Sequence, residues 1–422
     1  MGGQAAAAPG HERLKRRALP LIEAELERTR CVGLFGARQV GKSTLARQIA
    51  ERRGGGAIEL NMRRARDRAA LADDDAFFAE HADKLVIIDE AHLDPGALDA
   101  VHQRLEQELH GRSGRTQFLL LGSSASDLQQ IAAERLGARL TPVTIEPIHL
   151  LELGPRGQPG PSSRTATPGA AVAEKAIPKP ESADDMNSLW LKGGFPMSLL
   201  AGDEPSFAWR RMYLTSCFRR ALGGGLAALE QGAVKRTLDR IAADQGGVFP
   251  VDKSPLEFRV CVRHLEGLGL VRMLLPWSAN RNTQLTRRPK LYIRDSGLLH
   301  LLRACPTLDA VSGTPGLMGE SWEGFCIETL IGAAGDGAQA FHCRLNDQDE
   351  IDLVLEFGPN RRWAIEIKHG ENPRPAAGFY RACEVLNPER RFFVHRGEAT
   401  VLIGDDISAF PLRAAVEEVL RA

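Results

Sequence analysis

The chain has no surplus of either charge: 54 lysines and arginines balance 54 aspartates and glutamates, a formal net charge of +0. Overall charge therefore selects neither nucleic acid nor a membrane surface as a partner, and any basic face must be local. The sequence has no run of the ~18 uninterrupted apolar residues that a spanning helix needs, so no membrane partner is expected. Its opening, MGGQAAAAPGHERLKRR, lacks the apolar stretch of a signal peptide, and Ala6 stands where a myristoylation signal needs Ser or Thr. The seven cysteines (Cys31, Cys217, Cys261, Cys305, Cys326, Cys343 and Cys383) are scattered, odd in number and never spaced C-x-x-C. That excludes a disulfide framework and a zinc ribbon. It fits a protein kept in the reducing cytoplasm, with its thiols as small apolar core residues. No internal repeat is visible.

With 422 residues, 43% of them hydrophobic, the chain has material for several cores, roughly two to four domains of ~100–200 residues each. Residues 11–30 carry Leu14, Ala18, Leu21, Ile22 and Leu26 at helical spacing. The apolar run 31–35 comes next, then a glycine-bounded loop, then a helix over 43–52, in the order strand, phosphate loop, helix. Further strands are expected at 57–60, 85–88, 118–121 and 140–145. Their alternation with helical stretches predicts a parallel sheet covered on both faces.

The loop Gly36-Ala37-Arg38-Gln39-Val40-Gly41-Lys42-Ser43 matches G-x-x-x-x-G-K-[ST] in full. Gly36 and Gly41 let the backbone turn its N–H groups toward phosphate oxygens, and the following helix adds its positive end. Lys42 brings charge to the β- and γ-phosphates, Ser43 a hydroxyl for Mg²⁺, and Thr44 the next nucleotide-binding position. ATP and magnesium are thus the expected ligands. The strand 85–88 ends in Asp89 and Glu90, which fits an acid that holds the magnesium through water and a carboxylate that polarises the attacking water. Asp89-Glu90-Ala91-His92 spells the DEAH string of helicases, but no other helicase motif accompanies it. The strand 118–121 leads to Ser123 and Ser124. Ser124 or Ser123 is a candidate γ-phosphate sensor, with a strand C-cap as the alternative. Arg139 is a candidate cation for the γ-phosphate, in cis or from a neighbouring copy in a homo-oligomer; an ordinary salt bridge is the alternative.

The chain resembles a large prokaryotic family of AAA-type ATPases with a C-terminal domain of unknown function. The resemblance rests on GARQVGKSTL, VIIDEAH, LLLGSS, LKGGFPMSLL, WRRMY, PKLYIRDSGLL, EIDLVLE and WAIEIK, which run in the family's order over nearly the whole chain. It implies an α/β fold. A P-loop core with a parallel sheet is followed by a helical, winged-helix-like module and a C-terminal α/β domain similar to restriction-type PD-(D/E)xK nucleases. Three places depart from the family pattern. His92 stands where a glutamine is usual, and Arg220-Ala221 where Arg-Asp is common. The stretch 246–270 is short for a full winged helix. The expected domains are 1–153 for the ATPase, 154–186 for a flexible Pro/Gly/Ser-rich linker, 187–225 for a helical segment, 226–303 for the winged-helix-like module and 304–422 for the nuclease-like domain. Trp209, Met212, Tyr213 and Phe218 are the core contacts expected of the helical segment.

Residues 226–303 hold roughly two basic residues for each acidic one. Arg259, Arg263, His264 and Arg272 flank an apolar helix, with Trp277, Asn280 and Arg281 at the tip of a small wing. The two readings are phosphate contact and a solvated polar face. Further on, Asp352 lies on an apolar strand and Glu366-Ile367-Lys368 on the next, joined by a turn at 358–360. Residues two apart on a strand share a face, so Glu366 and Lys368 point together while Ile365 and Ile367 point to a core. With Glu323 from the preceding helix this is the D…E-x-K pattern of metal-dependent phosphodiesterases. Asp352 and Glu366 would be the magnesium ligands, and Lys368 would orient or deprotonate water. DNA is then a candidate partner. The sequence leaves two functions standing: ATP-driven nucleic-acid processing, and an ATP-dependent regulatory switch whose C-terminal domain only binds.

Overall fold

Five short apolar strands build the first sheet of the computed structural model, which describes residues 16–109, 116–122, 134–153, 183–221, 231–278, 288–403 and 407–422. They are β1 (Cys31–Phe35), β2 (Ala57–Asn61), β3 (Leu85–Asp89), β4 (Gln117–Leu121) and β5 (Thr141–Thr144). All pair in parallel, in the order β2-β3-β4-β1-β5. The central strands are buried on both faces, which is why they read as continuous apolar runs. Alternate residues of β1 serve different cores. Val32 and Leu34 meet Leu19, Ile22 and Leu26 of α1 (Ala18–Arg28) and Leu45 and Ile49 of α2 (Lys42–Arg52). Cys31 and Phe35 lie in the core of the opposite face, with Phe78 and with Leu98 and Val101 from α4 (Asp74–Glu80) and α5 (Pro95–Leu109), which follow α3 (Ala65–Ala70).

The segment expected as a linker, 154–186, lies outside the described residues up to 182, and the helix Ala183–Lys192 takes its last four positions. The helix starts before the expected end of the linker because Met186 packs against the same core that buries Leu189 and Trp190. A middle unit follows, with helices Asp203–Ala221, Gln231–Ala243 and Leu256–Gly267 and the antiparallel ribbon of β6 (Val271–Leu274) and β7 (Lys290–Ile293). An isolated bridge from Val248 to Lys290 adds a third strand position. Between that bridge and helix Leu256–Gly267 there is only the 3-10 turn Val251–Lys253, consistent with the shortness of 246–270. Tyr213 is buried, and Trp209 and Phe218 pack against the same core. Met212 is 64% exposed, contrary to expectation, because it lies off the buried face of its helix.

The β6–β7 ribbon is wedged between two cores. Val271, Leu291 and Ile293 belong to the core shared with the ATPase sheet, whereas Leu274 and Tyr292 belong to the core of the C-terminal sheet. That second sheet runs β12-β13-β11-β10-β9-β8. Its strands are β8 (Gln339–Arg344), β9 (Glu350–Gly358), β10 (Arg361–Ile367), β11 (Arg390–His395), β12 (Val401–Ile403) and β13 (Ile407–Pro411). The first three pair antiparallel, and β10 and β11 pair in parallel. Helices Leu317–Ala334 and Leu412–Leu420 cover one face and helix Ala377–Leu386 the other. The sequence reading anticipated β9, β10 and β11 and missed β8, β12 and β13, which are short or half-exposed.

Candidate functional site

The phosphate loop is shaped by close approach. Gly36 has φ 141°, and a Cβ there would lie 2.2 Å from the carbonyl oxygen of Ile145. Gly41, φ 108°, caps α2 and leaves room for the Arg16 guanidinium. Lys42 is buried and folds back over its own loop, its ammonium donating to the carbonyls of Gly36 and Ala37 at 2.8 Å each. Burial lowers its pKa to about 8, against the opposing charges of Glu90 and Asp89. Ser43 and Thr44 are exposed in the first turn of α2, where the helix N–H groups are free for an anion. The Ser43 hydroxyl donates to Asp89 Oδ2 at 3.2 Å, although Ser43 lies in the first turn of the helix that follows β1, and β4 lies between β1 and β3 in the sheet. A hydroxyl and a carboxylate converging at the open end of a loop form a donor set that suits a hard cation such as Mg²⁺.

Asp89 ends β3. Its pKa is raised by burial and by the charge of Glu90, and hydrogen bonds from Ser43 and the Glu90 N–H oppose that rise. Glu90 takes the left-handed conformation, φ 55°, which turns its side chain away from the strand direction. Arg63, just past β2, donates to Glu90 Oε1 at 3.1 and 2.7 Å, and His92 Nε2 lies 3.7 Å from the other oxygen. Asn61 reaches Asp89 Oδ2 at 3.4 Å. Sequence reasoning missed Asn61 and Arg63. The only signal was their position at the end of a parallel strand beside β3. It missed Arg16 too, which donates to the loop carbonyl of Val40 at 2.8 Å, to Glu146 O at 2.6 Å and to Glu152 at 3.0 Å. Arg139 pairs with Glu106, the alternative left open for it. Ser123 and Ser124 lie outside the described residues, as do Asn280 and Arg281.

A second group of charges forms where the middle unit meets the C-terminal sheet. The register pairs Ala364 with Val354 and Ile365 with Leu353. Strand alternation then puts Asp352 and Glu366 on one face, while Ile365 and Ile367 enter the core of the other. Asp352 Oδ2 accepts the Ile367 N–H at 2.8 Å. Lys368 lies 2.7 Å from Glu366 and 4.0 Å from Asp352. Glu323 stands on helix Leu317–Ala334, and the Tyr292 hydroxyl donates to it at 2.7 Å. The sequence reading did not foresee Lys290. It is buried, and its ammonium lies 2.5 Å from Glu350, 3.2 Å from Glu323 and 3.7 Å from Asp352. Burial works against the Lys290 charge, but Glu323, Asp352 and Glu350 outweigh it and hold the ammonium protonated. Burial and the charge of Asp352 raise Glu366 to about 8, with Lys368 opposing. Among the described residues no group of three or more His, Cys, Asp or Glu side chains is arranged to hold a metal ion.

The signal for Lys290 was present in the string Lys290-Leu-Tyr-Ile-Arg294. Apolar Leu291 and Ile293 fill one core, so Lys290, Tyr292 and Arg294 must find polar partners on the other side. Lys290 and Tyr292 find Glu323. Arg294 finds Glu328 at 2.9 Å and Glu146 at 2.8 Å. Arg272, a candidate phosphate contact, is likewise paired with Glu328.

Residues 28–154 match a family model described as an AAA domain. Residues 183–309 and 318–415 match two domains of unknown function, DUF8612 and DUF4143. With the loop geometry, the first match defines residues 28–154 as an AAA-type P-loop unit, which supports ATP binding and hydrolysis. Over 405 residues the chain is 28% identical to the uncharacterized protein Rv2008c of Mycobacterium tuberculosis, covering 94% of this chain and 83% of that one. The same figures hold for Mb2031c of Mycobacterium bovis. Among solved structures, the Walker-type ATPase PABY2304 of Pyrococcus abyssi is 15% identical, with a TM-score of 0.39, covering 69% of this chain and 96% of that one. Among the described residues no helix is long and apolar enough to cross a membrane.

Proposed function

We propose that this chain is an ATP-hydrolysing switch, in which turnover at the phosphate loop alters how the middle unit and the C-terminal sheet are held. The convergence of Lys42, Ser43, Asp89 and Glu90 at one end of the first sheet carries this reading. Loop N–H groups and the start of α2 bind the phosphates, and Lys42 leaves the loop carbonyls to meet them. Ser43 and Asp89 are the residues that would hold Mg²⁺, which when bound neutralises phosphate charge. Glu90, freed from Arg63, accepts the proton of the attacking water.

Two contacts support coupling to the rest of the chain. A Cβ on Gly269, in the turn between helix Leu256–Gly267 and β6, would lie 3.8 Å from that of Ala37 in the loop. A line of polar contacts also runs from Val40 through Arg16 to Glu146, then through Arg294 to Glu328 on helix Leu317–Ala334. The C-terminal layout is helix, three antiparallel strands, helix and a parallel strand, with Asp352 and Glu366 on one face. It supports a nuclease-like fold. The second reading, ATP-driven cleavage of nucleic acid, draws on that layout and on Lys368.

Two substitutions test the ATPase. Lys42→Ala should abolish ATP binding in a fluorescent-nucleotide titration. Glu90→Gln should bind ATP normally and lose ~10²–10⁴ of turnover, the usual contribution of a positioned base. Wild-type turnover in Glu90→Gln would refute the role given to Glu90.

A further inference from the structure

Glu323, Glu350, Asp352 and Glu366 come from the C-terminal unit, but one of the two ammonium groups among them does not. Lys290 belongs to β7, the strand that the middle unit wedges against helix Leu317–Ala334. An ammonium has three donors, and here three carboxylates surround it. Lys368 pairs with one oxygen of the remaining acid, Glu366, whose other oxygen is buried without a hydrogen-bond partner. One oxygen of Asp352 already accepts the Ile367 N–H, and the other faces Lys290.

A divalent ion needs several oxygens at ~2.0–2.6 Å with their lone pairs turned inward. Here Glu323, Glu350 and Asp352 each turn an oxygen toward Lys290, a cation that the D…E-x-K pattern does not contain, and an added dication among them would be repelled by that ammonium. Lys290 cannot readily withdraw. Its neighbours Leu291 and Ile293 are fixed in the core shared with the ATPase sheet, and Tyr292 is tied to Glu323. The magnesium that the D…E-x-K pattern calls for does not fit these residues as they stand.

We infer that the Lys290 ammonium is the resident cation of the carboxylate cluster and excludes a divalent metal from it. The nuclease-like unit then serves as a socket for the middle unit. The inference rests on the nuclease-like layout and is independent of the ATPase reading.

The test is Mn²⁺ binding by the full-length chain, followed by electron paramagnetic resonance. It uses an Asp89→Asn background, which removes the nucleotide-linked metal. That background should bind no Mn²⁺ at the cluster, with or without ATP. Adding Lys290→Met should create one bound Mn²⁺ per chain, and adding Asp352→Asn to that variant should remove it. Lys290→Arg, which keeps the cation, should stay metal-free. An Asp352-dependent Mn²⁺ site in the Asp89→Asn chain would overturn the inference. That arm also decides the matter if Lys290→Met does not fold, as judged by its thermal melt. A folded Lys290→Met chain that gains no site would overturn it equally.

Discussion

Two strand ends in this chain carry paired acids, and the fold treats them differently. Asp89 and Glu90 end β3 beside an exposed Ser43, and the nearby lysine, Lys42, spends its donors on the carbonyls of its own loop. Those donors can be handed to phosphate without breaking an ion pair. Asp352 and Glu366 sit at neighbouring strand ends beside Lys368, and there a second lysine enters from another unit and makes ion pairs. The first arrangement is poised to take a ligand. The second pairs its acids with two lysines and leaves one buried oxygen, Glu366 Oε2, without a partner. If Lys290 is the resident cation, as proposed, paired carboxylates on adjoining elements do not by themselves specify a metal site; the cation that tertiary packing brings to them decides the outcome.

The contrast can be strained from the packed side. Glu328 is held low, to about 2: burial opposes its charge, but Arg272 and Arg294 more than compensate. A carboxylate depressed in the folded state adds stability above its unfolded pKa and loses it as pH falls through the folded value. The wild-type chain should thus weaken between about pH 4.5 and pH 2. Glu328→Gln should cost ~3 kcal/mol at neutral pH, because two half-buried guanidiniums lose this carboxylate and Arg294 keeps only its bond to Glu146. Urea melts at pH 7 measure it. An unchanged midpoint would mean that the arginines find other partners and that the middle unit is not tied through Glu328.

A smaller effect is expected at Glu366, where burial and Asp352 raise the pKa from 4.5 to about 8. The sign is reversed here. The folded chain keeps a proton that the unfolded chain gives up, so this contribution is full below about pH 4.5 and is lost as pH rises through about 8. The proton is shared within the cluster, so the expected swing is modest, ~1.4 kcal/mol. Glu366→Gln should flatten the pH dependence of the melting temperature over that window. A wild-type slope in the variant would place the raised proton elsewhere.

Much of the nucleotide site was legible because its determinants are local. Gly36 to Ser43 is one continuous string, and Asp89-Glu90 directly follows an apolar run, so spacing and residue type suffice. The partners that set the state of the site come from elsewhere: Arg63 reaches Glu90 across 27 positions, and Arg16 reaches Glu152 across 136. The strands of the first sheet were legible as buried runs. In the second sheet the edge strands β8 and β12 were missed, because half-exposed edges carry weaker patterns. Alternation on β9 and β10 placed Asp352 and Glu366 together, but it says nothing about β7, which lies far upstream and begins at Lys290. Lys290 was visible only as an unexplained charge in PKLYIRDSGLL, and a buried strand with a lysine in it needs an acid nearby. For Arg139 and Arg272 the sequence leaves phosphate contact open beside a salt bridge or a solvated face, because the acidic partner of each lies far away in sequence.

The most direct test of the account follows both chemistries in one reaction. The full-length chain is incubated with ATP, Mg²⁺ and supercoiled DNA, and phosphate release and plasmid nicking are recorded together, beside the Glu90→Gln and Asp352→Asn variants. Phosphate release should be lost in Glu90→Gln and kept in Asp352→Asn, with the plasmid intact throughout. Nicking by the wild-type chain that disappears in Asp352→Asn would contradict it.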